Sequence, residues 1–169
     1  ANDYSLFFGL SWETDLEAFN LRDRNHPSVI MWSTGNEVAE RTGISNGHLI
    51  GAALAEKVRS LDHTRPVTNG VCSLWNGLED DDMEKVMAEI KRNSEGGASA
   101  QNADTPYADK IWNDYTEGCA SALDVVGYNY LTDRYEKDGA QHPYRVICGT
   151  ESWPRDFDKV WHETMRLPH

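Results

Sequence analysis

Two glutamates stand out by the company they keep. Glu37 stands near the end of the stretch "HPSVIMWSTGNEV", His26 to Val38, in which the apolar run Val29 to Trp32 gives way to Ser33-Thr34-Gly35-Asn36-Glu37. Glu151 ends a second such run, "RVICGTES", and is followed by Ser152 and Trp153. A third run, "LDVVGYNYL", changes character at Tyr128-Asn129-Tyr130. Two carboxylates facing one pocket suit glycoside hydrolysis. A glycosidic oxygen is a poor leaving group and needs a proton, while the oxocarbenium-like transition state needs a carboxylate beneath it. One acid must then be protonated and the other ionised at the same pH, so their environments must differ. A single Glu at a strand end is more often a solvated residue or a helix cap. The case here rests on two, each closing an apolar run inside a polar-aromatic cluster.

The elements that must position these groups can be read from periodicity. A helix is expected from about Trp12 to Arg24, with Leu16, Phe19 and Leu21 inward. Pro27 disfavours helix at His26, and a strand buried on both faces is expected from Ser28 to Ser33. Asn46 is placed to cap a helix running to Leu61 with the stripe Ile50, Leu54, Val58, Leu61. "TRPVTNGV" reads as a second strand. An acidic helix start follows at Asp80 to Asp82, with Val86, Met87 and Ile90 as its apolar positions, then a polar loop "RNSEGGASAQNADTP". A helix from Tyr107 to Tyr115, the strand "LDVVGYNYL", a short helix or loop from Arg134 to Gln141, the strand "RVICGTES" and a helix from Phe157 to Leu167 complete the order. Alternating strands and helices imply a parallel α/β sheet with right-handed crossovers, either an open doubly wound sheet or a (β/α)8 barrel. In both, sites assemble at the carboxyl ends of the strands, which would bring Glu37 and Glu151 to one rim.

The totals narrow the field. The 169 residues read as one domain, 1–169, with a formal charge of -12 and no basic cluster, so nucleic acid and anionic membranes are poor partners. No apolar run approaches the length of a membrane span, and no signal peptide is expected; the compartment is left open. Cys72, Cys119 and Cys148 are too few and too scattered for a disulfide framework or a zinc site, and Cys72 and Cys148 read as small buried residues. The run Glu79 to Asp82 reads as a solvated face rather than a calcium site. No metal and no cofactor are expected. A Gly-x-Gly-x-x-Gly fingerprint is missing, which argues against a dinucleotide enzyme.

"RDRNHPSVIMWSTGNE" resembles the acid/base signature of glycoside hydrolase family 2, the β-galactosidase, β-glucuronidase and β-mannosidase group. "DVVGYNYL" and "RVICGTESWP" are similar to the sixth- and seventh-strand segments of that family, in the right order and distance. The resemblance runs from Asp15 to about Val160. It implies a partial TIM (β/α)8 barrel, roughly strands four to seven with their helices. It also implies that Glu37 is the general acid/base, Glu151 the nucleophile, and Asn36 the partner of the sugar 2-hydroxyl. Tyr130 would hold the nucleophile through its phenol, with Tyr128 as rival, and Trp153 would stack on a sugar face or serve structure. Trp32 has two readings, core filler or support for the pocket from inside the barrel. His26 reads as structural, and Gly35 as a place where the backbone kinks or packs closely.

The activity implied is that of a retaining β-glycosidase, most similar to the β-galactosidase branch through "GNEVAERTG", acting on a carbohydrate substrate. Candidates for strands one to three and eight are missing, so the chain reads as part of a barrel with two uncovered parallel edges. Such edges invite a homodimer or association with the remaining barrel half. The alternative is a catalytically silent carbohydrate-binding half-barrel.

Overall fold

Four five-residue strands pair in chain order, all parallel, in the computed structural model, which describes residues 4–38, 40, 46–72, 84, 88 and 106–168. They are β1 (Trp32–Asn36), β2 (Val67–Val71), β3 (Val125–Asn129) and β4 (Ile147–Glu151). The helices are α1 (Phe8–Asp23), α2 (Gly47–Leu61), α3 (Pro106–Ala120), α4 (Tyr135–Gln141) and α5 (Phe157–Arg166). Parallel neighbours need a crossover between them. A consecutive order β1-β2-β3-β4 is what an arc of a (β/α)8 barrel requires, whereas a doubly wound sheet reverses direction partway. No helix among the described residues is long and apolar enough to cross a membrane.

Alternation along the strands sorts the two faces. Trp32, Val67, Val71, Val126 and Tyr128 point toward the helices. Trp32 and Val67 pack on Ala55 and Val58 of α2, and Val71, Val126 and Tyr128 pack on Trp112, Cys119 and Ala120 of α3. The other face carries small residues: Ser33, Thr68, Gly70, Gly127 and Thr150. Phe19 meets Trp32 edge-on with ring centroids 5.2 Å apart, and the Trp32 indole N–H donates to Asp62 at 2.9 Å. Trp32 is therefore core filler on the helix side, and the reading of it as interior support is set aside.

Several boundaries differ from expectation. The first strand covers 32–36, not 28–33, and Ile30 is 74% exposed. A strand extends only as far as its neighbour offers partners, and β2 begins after Pro66, whose carbonyl accepts from the Trp32 N–H at 3.0 Å. Helix α1 starts four residues earlier than expected, at Phe8; Leu21 faces solvent, and Asn20 is the buried residue instead. Asn46 adopts the left-handed conformation, φ 59°, and makes no side-chain cap, so the capping role is corrected. The buried stripe of α2 is Ala55 and Val58, and Ile50 is exposed. Helix α3 runs on to Ala120, past the expected Tyr115. The expected acidic helix start at Asp80 to Asp82, with Val86, Met87 and Ile90, and all of the polar loop except Pro106 lie outside the described residues. Cys72 is buried, and Cys148 is half-buried.

Candidate active site

The four strands deliver their last residues to one rim, and the sheet is irregular there. The β1–β2 register slips between Ser33 and Asn36, and the β3–β4 register slips between Tyr128 and Asn129. Such bulges re-aim side chains and recur next to active sites. Immediately beyond, Glu37 (φ 51°) and Tyr130 (φ 60°) adopt left-handed backbone, which costs non-glycine residues on the order of 1–3 kcal/mol. Both still bond to the next strand: the Glu37 N–H donates to the Gly70 carbonyl at 2.8 Å and the Tyr130 N–H to the Glu151 carbonyl at 2.9 Å. The ladder thus runs one residue past each strand before the chain turns, which holds the strained residues in place.

The side chains converge on Asn129. Its Nδ2 donates to Asn36 Oδ1 at 2.9 Å, to Glu151 Oε1 at 3.1 Å and, more weakly, to Glu37 Oε1 at 3.4 Å. Both carboxylate oxygens therefore lie within 3.4 Å of one nitrogen, and the gap between them is less than twice that. Asn36 Nδ2 also donates to Glu151 Oε1, at 3.1 Å. The Tyr130 phenol makes a short hydrogen bond to the other oxygen, Oε2. That hydrogen bond, then partial burial and the negative charges of Glu151 and Glu37, hold the Tyr130 pKa above the ordinary phenol value, so the phenol stays a donor at neutral pH. Trp153, 41% exposed, lies beside Tyr130 with ring centroids 4.7 Å apart and planes tilted by 32°.

Of the two tyrosines that compete for Glu151, Tyr128 points the other way. Its hydroxyl donates to Asp138 Oδ2 at 2.7 Å and accepts from Arg145 Nη1 at 3.0 Å. A cleft of about 510 Å³ follows the free edge of β1, from Phe19 and Asp23 of α1 and the segment Ser28 to Ser33 to Thr68 and Gly70, and touches the rim at Asn36 and Thr150. Gly35 is needed where it stands, since a Cβ there would come within 2.9 Å of Asn69 Nδ2 and 3.1 Å of Val38. His26 is exposed, and its carbonyl accepts from the Val29 N–H, away from the rim.

Three contributors were not singled out from the sequence. Asn129 was visible as a polar residue inside an apolar strand, between two more conspicuous tyrosines. Thr150 donates to Asn129 Oδ1 at 2.5 Å. Gly70 lies under the two amides, where a Cβ would collide with Asn36 Oδ1 and come within 3.1 Å of Asn129 Oδ1. A glycine in mid-strand is itself a signal of close approach. Among the described residues, no group of three His, Cys, Asp or Glu side chains could hold a metal ion. One Gly-x-Ser-x-Gly spacing does occur, from Gly43 to Gly47. A nucleophile elbow of that type follows directly on a strand, whereas β1 ends at Asn36, and Ser45 lies outside the described residues.

Comparison with known proteins bears on the family and the fold. Residues 14–115 match the family model for glycosyl hydrolases family 2, TIM barrel domain. The β-galactosidase BoGH2A of Bacteroides ovatus is 28% identical over 189 residues, covering 94% of this chain and 20% of that protein. Human β-glucuronidase is 47% identical over 47 residues, 28% of this chain and 7% of that protein. The crystal structure of a glycosyl hydrolase family 2 member from Bacteroides cellulosilyticus superposes with a TM-score of 0.69 at 32% identity, covering 96% of this chain and 17% of that one. The chain thus spans about a fifth of the length of the relatives it matches end to end. By its matched segment and by its arc of parallel strands, this chain belongs to glycoside hydrolase family 2, as part of the TIM-barrel domain.

Proposed function

We propose that this chain carries the acid/base and the nucleophile of a retaining, β-galactosidase-like glycosidase. One observation carries the reading: Glu37 and Glu151, from strands at opposite sides of the sheet, are both within reach of the amide of Asn129. The upper bound this sets on the gap between the two oxygens admits the roughly 5–5.5 Å between carboxyls that a retaining enzyme needs.

The roles follow from the partners. Glu151 is met by neutral donors, Asn36, Asn129 and Tyr130, which orient it while leaving its charge available for attack. It bonds to the anomeric carbon as the bond to the aglycone breaks, and Glu37 gives its proton to the departing oxygen. Glu37 then takes a proton from water, and the water oxygen displaces Glu151 from the sugar. Asn36 spends one N–H on Glu151 and has a second for the sugar 2-hydroxyl. Trp153, exposed beside Tyr130, offers a face for the pyranose ring.

Completion of the barrel is part of the proposal. Phe157, Trp161 and Met165 expose an apolar stripe along α5, and Leu6, Phe7 and Leu10 expose another at the start of α1. Both flanks fit burial against the remaining barrel half or a second copy of the chain. Sedimentation should find a dimer or a larger assembly; a compact, well-folded monomer speaks against that part.

Turnover of an aryl β-galactoside by the chain tests the catalytic part. Activity should vanish in Glu151→Gln. Glu37→Ala should still cleave a substrate with an activated leaving group, which does not need the proton. If both variants match the parent, the assignment fails. If the parent binds galactosides without cleaving them, the chain is a silent carbohydrate-binding half-barrel.

A further inference from the structure

We infer that Asn129 is a positioning residue for both carboxylates, serving whichever of the two carries the charge, and that Thr150 fixes the way its amide faces. The inference deepens the glycosidase reading and depends on it for its meaning in turnover. Asn129 is fully buried, at the end of β3, which pairs with β4 and is separated from β1 by β2. Its nitrogen faces three acceptors, Asn36 Oδ1, Glu37 Oε1 and Glu151 Oε1. Its oxygen receives the Thr150 hydroxyl at 2.5 Å. Turned over, the amide would aim a carbonyl at two carboxylates and give up its bonds to Asn36 and Glu151 and the donation from Thr150, in exchange for one N–H to the Thr150 oxygen. The Thr150 hydroxyl and the three acceptors therefore agree on a single orientation.

Double displacement moves negative charge across this amide. At the start Glu151 is ionised and Glu37 holds a proton. In the glycosyl-enzyme intermediate Glu151 is a neutral ester, and Glu37 has become the carboxylate that will take a proton from water. A fixed cation between them would hold both in the charged form at once. A neutral donor with two N–H groups, near both oxygens, strengthens its bond to whichever partner is charged and imposes nothing on the other. Gly70 fits this account, because a side chain there would fill the space that the Asn36 and Asn129 amides occupy.

The test reads the amide itself. In the ¹⁵N-labelled chain, the Asn129 side-chain NH2 signal is assigned by its loss in Asn129→Ala. It is then followed from about pH 3 to 8, a range that brackets carboxyl titration. The signal should move with pH in the parent, move less in Glu37→Gln and in Glu151→Gln, and stay still in the double variant. A signal that is static in the parent, or that still moves in the double variant, overturns the inference. So does one whose movement a single variant removes completely, since Asn129 would then serve only one carboxylate. Thr150→Val supplies a second readout with both glutamates intact. The amide should then turn over part of the time, so that the Asn129 NH2 signal shifts and loses part of its pH response, and an unchanged signal and pH response remove Thr150 from the account. No sugar is present in these measurements. Failure here therefore leaves the aryl-galactoside assay to judge the glycosidase reading, and failure there leaves the behaviour of the amide intact.

Discussion

Two polar networks hang from consecutive residues of β3 and face opposite ways. Tyr128 joins one on the helix side, and Asn129 joins the other at the rim. On the helix side, Asp138 is fully buried and accepts from the Trp112 indole at 2.8 Å, from Tyr128 at 2.7 Å and from Arg134 Nη2 at 2.9 Å. Arg145 completes it, donating to Tyr128 at 3.0 Å and pairing with Glu117 at 2.6 Å. Burial, reinforced by Asp138, pushes the Tyr128 phenol far above its usual pKa, so it stays neutral. At the rim, Glu151 is met only through amides and a phenol in the contacts described above. The contrast is instructive. A network that holds strands and helices together pairs its buried charge with guanidinium. The network proposed to use its charge in a reaction holds it with neutral donors and strained backbone.

Breaking each network should therefore have different consequences. The largest effect is expected for Asp138→Ala, which leaves Arg134, the Trp112 N–H and the Tyr128 hydroxyl buried without their shared acceptor. Loss of about 3–5 kcal/mol in urea unfolding is expected. Glu151→Gln should shift the same midpoint far less while removing turnover. Equal shifts for the two would erase the distinction drawn here. Next in size is Gly70→Ala, whose methyl must displace Asn36 and crowd Asn129. It should cost about 1–3 kcal/mol and disturb the Asn129 amide signal, whereas an unshifted signal would mean that the rim tolerates the methyl.

A pH effect follows from a second charge-paired site on the helix side. The Thr64 hydroxyl, then the Trp32 indole, the Thr64 N–H and Arg65 hold the Asp62 carboxyl well below its usual range, against the opposing effect of burial. A depressed pKa in the folded state means that the stabilisation is complete above the unfolded value, near pH 4, and is lost as the pH falls below it. Thermal melts should lose stability in that window, and Asp62→Asn should flatten the loss while lowering stability at neutral pH. An identical acid slope in the variant would assign the loss to other carboxyls. The smallest effect concerns Asn20, buried on α1 with neither side-chain polar atom hydrogen-bonded among the described residues. Asn20→Leu should be neutral or stabilising by about 1 kcal/mol, and marked destabilisation would mean that the amide has a partner after all.

Much of the site was legible because strand ends are local features. An apolar run that closes in Asn36-Glu37, and another that closes in Thr150-Glu151, can be seen without knowing which strands are neighbours. Boundaries were less legible, since β1 starts where Pro66 and Val67 offer partners, and those lie far along the chain. The choice between Tyr128 and Tyr130 could not be made from alternation at all. Two residues apart, they would share a face in a regular strand.

Residue types and their order along the chain determined the parallel α/β class, the family and the two carboxylates, because hydrophobic period and motif spacing are written in neighbouring residues. Tertiary structure alone decided which side chains meet. A register slip after Tyr128 and a left-handed turn at Tyr130 send one phenol to Asp138 and the other to Glu151. Those departures from regular geometry, and the single amide of Asn129 that answers to both glutamates, exist only once the strands lie side by side.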